Sequence, residues 1–254
     1  MSWTDLYLAF LAFVAGLVSS SVGGGGLVLI PALFNAYPLL PSATVLGTNR
    51  LVFGMSGASN VWRVLRHTRP PWPVLWPALV TGIPMAAAGS ALLMAFPPHW
   101  YKPVLLVVMI ALAIHTWRHP ALGQNATAPR LHTSAHQQLG SAGAGAAAGL
   151  YLGFIGPASQ SFLLLGFVHL FGFDFRRASE CAQIVVNGLN LASLLWFIAF
   201  SHVVFPIGLA MGACSVAGAV LGSRLIRKGG NRLIRRLFLG LLVIEIGRFT
   251  FGLF

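Results

Sequence analysis

Apolar residues gather in this chain in blocks long enough to cross a bilayer as helices, for which about 20 residues suffice. Six blocks run uninterrupted, over 43–62, 72–96, 99–117, 178–200, 203–223 and 233–253. Two further blocks are broken in the middle. The first covers 6–37 and is interrupted within "SSSVGGGGLVLIP", at Gly23 to Gly26; the second covers 139–173 and is interrupted between Gly153 and Gln160, within "GFIGPASQS".

Between them, residues 119–138, "HPALGQNATAPRLHTSAHQQ", form the one long polar stretch and read as a linker between two halves, 1–118 and 139–254. Each half holds a broken block followed by three unbroken ones. The halves also align: "AGLVSSSVGGGG" from Ala15 faces "AGLYLGFIGPAS" from Ala148, and "AGSALLMAFPPHWYKP" from Ala88 faces "LGSRLIRKGGNRLIRR" from Leu221. Both matches fall at an offset of 133 residues, which argues for an internal duplication.

Composition agrees with the hydropathy. Of 254 residues, 57% are hydrophobic and only 8% charged, with mean hydropathy +0.81, so a polytopic membrane protein is expected and a soluble domain is excluded. The net charge of +12 does not point to nucleic acid, because the basic residues are spread between apolar blocks rather than collected in one stripe. The N-terminus carries Asp5 and no Lys or Arg before the first block, so it lacks the basic region of a cleaved leader and is expected to belong to the mature chain.

Charge also orients the chain. Thirteen of the sixteen Lys and Arg lie in or beside four loops: Arg63, Arg66 and Arg69; Arg118 and Arg130; Arg176 and Arg177; and Arg224, Arg227, Lys228, Arg232, Arg235 and Arg236. Cytoplasmic loops collect such residues. If each broken block crossed once, eight of the thirteen would face away from the other five. If each returns to the side it entered from, all thirteen share one side. Two full crossings would satisfy the same test, but residues 27–37 are too few to span about 30 Å as a helix. The expected architecture is therefore all-α: two inverted-topology repeats, each a broken re-entrant hairpin plus three transmembrane helices, joined by a cytoplasmic linker, with both termini outside. Inverted repeats with interrupted helices in matching positions mark secondary transporters, and the breaks mark the substrate site.

The breaks carry the candidate chemistry. Unpaired backbone at membrane depth must face protein, a water-filled cavity or a ligand. A helix restarting at about Gly25 to Val28 would present free N–H groups and a positive dipole end, which favour an anion. Ser19, Ser20 and Ser21 add hydroxyls beside Gly23, Gly24, Gly25 and Gly26. In the second break Gly156 and Pro157 interrupt the helix, while Ser159 and Gln160 are placed to donate. Close helix packing would also use glycine, but a run of four exceeds that need. Arg50, inside the 43–62 block with Thr48 and Asn49 beside it, is an intramembrane cation and hence a candidate ligand contact; snorkelling to the interface is the alternative. The matching helix of the second half offers Gln183, Asn187 and Asn190. Guanidinium and amides together suit an oxyanion.

Other chemistry is sparse. The four carboxylates are Asp5, Asp174, Glu180 and Glu245. Glu180 and Glu245 are the acids available for proton coupling, although Asp174, Arg177 and Glu180 are spaced for ion pairing at the start of a helix and Glu245 lies one turn from Arg248. The eight histidines show no metal-ligand spacing with a carboxylate, so no metal is expected. Cys181 and Cys214 read as buried thiols. No nucleophile elbow, Walker phosphate loop or dinucleotide fingerprint occurs, so neither an enzyme nor a cofactor is expected.

"GLVSSSVGGGGLVLIPAL", "ATVLGTNRLV" and "GSRLIRK" resemble the TauE/SafE family of sulfite and organosulfonate transporters, also called the 4-toluene sulfonate uptake permease family. The likeness extends from about Leu6 to Phe254; the second half departs from the family's usual echo of the first, reading "GPASQS" and "ASECAQ". The resemblance implies transport of sulfite, sulfonates or another small organic anion, in either direction, and a bacterial-type cytoplasmic (inner) membrane. A passive anion channel on the same scaffold and a membrane protein without a transport role are the alternatives. The expected partners are a small anion and the bilayer, not nucleic acid, with a homo-oligomer left open.

Overall fold

Helix follows the apolar blocks because a backbone out of water must satisfy its own hydrogen bonds. The computed structural model describes residues 3–20, 25–118 and 134–227, with four isolated positions beyond them. Over these residues the protein is all-helical: α1 Trp3–Ser19, α2 Gly26–Ala36, α3 Ser42–His67, α4 Trp72–Ala95, α5 Pro98–Arg118, α6 Ser134–Phe154, α7 Ser159–Phe171, α8 Phe175–Ala199 and α9 Phe205–Arg227. Apart from those four positions the block at 233–253, with Glu245 in it, lies outside the described residues. So does most of the expected linker, but α6 already begins at Ser134, inside that segment: polar first turns carry no hydropathy signal.

Each broken block is two helices. The first break separates α1 from α2; the second, from Ile155 to Ala158, separates α6 from α7. Pro157 precedes the α7 cap rather than occupying that helix's first turn, and Ala158 takes the cap with φ 63°. At 1.5 Å per residue the 11 residues of α2 and the 13 of α7 rise only about 16 and 20 Å. By contrast Trp72–Ala95, Phe175–Ala199 and Phe205–Leu225 are long and apolar enough to cross a membrane, and the protein is a multi-pass membrane protein. At 26 residues α3 is longer still; its apolar character is diluted by buried Thr48, Asn49, Arg50, Ser56 and Asn60.

Two cores wrap the two short helices. Leu27 to Phe34 of α2 pack among α1, α3, Tyr101 and Leu105 of α5, and Phe197. Leu163, Leu164, Phe167, Val168 and Phe171 of α7 pack among α4, α6 and α8. Outward-facing side chains remain apolar, as on α4 (Trp76, Val80, Ile83), α5 (Val107, Ile110, Ile114) and α8 (Leu191, Leu195, Ile198), which suits a lipid surface.

The helices pair across the halves. α1 packs on α9 and α4 on α6, each pair running in the same direction, while α3 crosses α8 antiparallel. Close backbone approach fixes these pairs: a Cβ at Gly149 would stand 2.3 Å from the Gly82 carbonyl oxygen, and one at Gly16 would overlap the Ser215 carbonyl. Those two contacts are equivalents at the offset of 133. The same holds for Gly89 against the Leu150 carbonyl and Gly222 against the Leu17 carbonyl, and for Gly54 beside Asn190 and Gly57 beside Asn187.

Candidate functional site: a polar cavity at the helix breaks

The helical repeat brings Asn49, Arg50, Phe53, Gly57 and Asn60 onto one face of α3, and Gln183, Val186, Asn187 and Asn190 onto one face of α8. Where these faces meet the two breaks, they enclose a cavity with about 630 Å³ of empty space, its mouth included. Ser19 and Gly26 close it from the first break, and Leu152, Gly156, Pro157, Ala158, Ser159 and Gln160 from the second. The start of α2 lies beside the second break: a Cβ on Gly26 would lie 3.8 Å from Pro157 Cα. The starts of α2 and α7 therefore share one cavity, which their dipoles make favourable to negative charge.

Arg50 is 4% exposed. One terminal nitrogen donates to the Leu152 carbonyl, while Nε has no partner. Its guanidinium lies over Gly156, whose φ of +100° and proximity to Arg50 Nη2 (2.6 Å from a built Cβ) leave no room for a side chain. Asn190 Nδ2 donates to the Arg50 carbonyl at 2.9 Å, tying α8 to α3 at this level. Three more buried polar atoms on the lining lack partners: Asn49 Oδ1, Gln160 Nε2 and Asn187 Oδ1. Buried polar groups are normally paired, so four such atoms around one cavity mark a place for ligand or water.

Three carbonyls of the second break are engaged by side-chain hydroxyls. Tyr101 of α5 donates to the Ile155 carbonyl at 3.3 Å, Ser159 to that of Gly156 at 2.6 Å, and Tyr151 to that of Pro157 at 2.9 Å. With those acceptors occupied, positive charge dominates the cavity. Among the described residues Arg50 is the one charged side chain lining it.

The cavity thus gathers the expected Ser19, Gly26, Asn49, Arg50, Gly156, Ser159, Gln160, Gln183, Asn187 and Asn190. Others sit elsewhere. The Ser20 hydroxyl was expected to face a ligand, but it donates to the Leu17 carbonyl at 2.7 Å, the back-bond of a residue at a helix end. The Ser159 hydroxyl, expected as a ligand donor, is likewise committed to its own turn. Thr48 faces α9, donating to the Thr44 carbonyl and accepting from Val204 N at 3.0 Å. Gly25 caps α2 and is packed against α1, where a Cβ would overlap the Ala15 carbonyl. Ser21, Gly23 and Gly24 lie outside the described residues. Glu180 is not on the lining; it accepts from Arg176 at 3.1 Å. The expected Asp174–Arg177 pair is instead a helix cap, with Asp174 accepting from Arg177 N at 3.3 Å while the Arg177 guanidinium covers the Phe173 ring. Cys181 is buried and Cys214 half-buried, both free.

Ser19, expected with Ser20 and Ser21 beside the glycines, is on the lining, whereas Phe53, Gly57 and Asn60 are lining residues that residue type alone does not single out. The lining pairs at the offset of 133: Ser19 with Leu152, Gly26 with Ser159, Arg50 with Gln183, Phe53 with Val186, and Gly57 with Asn190, so the duplication would have pointed to Gly57 through Asn190.

Short buried helices that begin at a polar cavity, inside a shell of outward-facing apolar side chains, fit a multi-pass membrane protein. The chain belongs to the sulfite exporter TauE/SafE family, whose profile matches residues 8–248, and it is a membrane transporter. It is 32% identical over 233 residues to the probable membrane transporter protein YfcA of Escherichia coli K12, covering 90% of this chain and 82% of that one. It is 31% identical over 239 residues to the probable membrane transporter protein ORF9 of a Sinorhizobium species, covering 91% and 87%, and 31% identical over 226 residues to a probable membrane transporter of Haemophilus influenzae, covering 89% and 86%. These names indicate no catalytic activity. No solved structure matches the chain.

Proposed function

We propose that the protein is a secondary transporter of a small anion, sulfite, an organosulfonate or a related sulfur-containing or organic anion, bound at the cavity and moved by alternating access between two inverted halves. The observation that carries this reading is Arg50: a buried guanidinium with a free Nε where the start of α2 meets the second break, with no carboxylate among the described lining residues. Gly156, Gln160, Asn49, Gln183 and Asn187 form the rest of the binding set, with the N–H groups that open α2 and α7. The antiparallel crossing of α3 and α8, the exchanged contacts at the offset of 133 and the shortness of α2 and α7 support inverted halves with re-entrant hairpins. Basic loops on the cytoplasmic face of an inner membrane, with both termini outside, complete the topology.

Proteoliposomes test the function. Saturable uptake of radiolabelled sulfite or methanesulfonate, accelerated by unlabelled anion on the opposite side, is expected of a transporter. Flux that never saturates and shows no counterflow would make the protein a channel, and no flux of any small anion would remove the reading.

A further inference from the structure

Arg50 and Gln183 occupy equivalent positions on α3 and α8, at the offset of 133, and both line the cavity. Only one of the pair is charged. We propose that this asymmetry makes the cavity select singly charged oxyanions over doubly charged ones, with Gln183 as the residue that sets the charge limit; the proposal rests on the anion-transport reading above.

The charge balance of the lining is the basis. Arg50 brings one positive charge, and the remaining described lining residues are neutral. Among the described residues Arg63 is the next cation along α3, and it is not on the lining: its guanidinium donates to Oδ1 of Asn60, itself a lining residue, and to Ser223 Oγ and the Ala219 carbonyl between α3 and α9. A monoanion beside Arg50 leaves the cavity neutral. A dianion carries a second negative charge that no side-chain cation matches, opposed only by the partial positive ends of α2 and α7, and burying a charge without a full partner among apolar cores is costly. The neutral side chains add no further charge. The unpartnered atoms are balanced, with Gln160 Nε2 and Arg50 Nε as donors and Asn49 Oδ1 and Asn187 Oδ1 as acceptors. The same two oxygens can accept from an acidic O–H, so hydrogen sulfite fits better than the fully ionised sulfite ion. Sulfonates, which carry one charge on a tetrahedral sulfur centre, fit the balance as well.

Methanesulfonate and sulfate share that tetrahedral centre and differ by one charge, so they are the probes. Each is titrated as a competitor of methanesulfonate uptake into proteoliposomes, and as a ligand in thermal unfolding of the purified protein. Sulfate is expected to bind roughly a hundredfold more weakly than methanesulfonate, and Gln183→Arg to narrow that ratio at least tenfold by adding the second cation. Sulfite supplies a readout that needs no variant: its uptake at fixed total concentration should fall as pH rises through the hydrogen sulfite–sulfite transition, while methanesulfonate uptake stays flat. Equal competition by sulfate, or sulfite uptake that rises with pH, would overturn the charge selectivity and leave anion transport standing. Failure of both anions to bind or move would overturn the transport reading and the selectivity with it.

Discussion

Placing a methyl group on Gly156 tests the link between the second break and Arg50. Gly156→Ala meets two obstacles. The φ of +100° is a conformation that side-chain-bearing residues reach only with strain of about 1–3 kcal/mol. The new Cβ would also stand 2.6 Å from Arg50 Nη2 and 2.8 Å from Nη1, where ordinary contact begins near 3.4 Å, so the guanidinium must retreat by about 0.8 Å. A shift of that size pulls Arg50 from the Leu152 carbonyl and displaces Nε from the cavity. Losing one hydrogen bond from a charged group costs about 1.5–3 kcal/mol, which corresponds to an anion affinity roughly ten- to a hundredfold weaker. Gly166→Ala on α7 is the control, because its Cβ would meet nothing within 4 Å. Equilibrium binding of methanesulfonate and thermal unfolding should be measured on both variants in detergent. Gly156→Ala is expected to lose affinity and to unfold at lower temperature, with Gly166→Ala matching wild type. A Gly156→Ala protein with wild-type affinity and stability would refute the placement of Arg50 against the break.

Two further substitutions probe the frame around the cavity. Arg63→Ala removes the bridge from α3 to Ser223 and the Ala219 carbonyl and leaves Asn60 Oδ1 without its donor, so a stability loss of about 1–3 kcal/mol should appear as a lower unfolding temperature. Gly149→Leu drives a side chain into the Gly82 backbone and should prevent α6 from seating on α4, seen as loss of a monodisperse peak in size-exclusion chromatography, whereas Gly143→Leu on the same helix, with open space at its Cβ, should elute as wild type.

Much of this arrangement can be read from the sequence, and the exceptions have physical causes. Block length and the two breaks locate the helices because hydrocarbon demands long apolar runs and tolerates unpaired backbone only at a protected site. Arg50 stands out because an intramembrane cation is expensive, and Gln183 and Asn187 follow from the matching helix. Ser20 and Thr48 look equivalent to true lining residues in residue type, yet their hydroxyls satisfy the Leu17 carbonyl and Val204 N. Which partner a hydroxyl takes depends on how neighbouring helices are rotated, and hydropathy carries no rotation. Phe53, Gly57 and Asn60 were within reach, standing three or four residues apart along α3 from Arg50. Tyr101 was not: it comes from α5 to hold the Ile155 carbonyl, a long-range contact with no spacing to announce it.

The claim on which the rest depends is that the transported anion sits against Arg50 in the cavity between the breaks. Equilibrium binding of radiolabelled methanesulfonate to purified wild type and Arg50→Gln, with unfolding temperatures recorded alongside, tests it most directly. Binding weakened at least tenfold in a variant that still folds is the expected result; undiminished binding to Arg50→Gln would contradict the site.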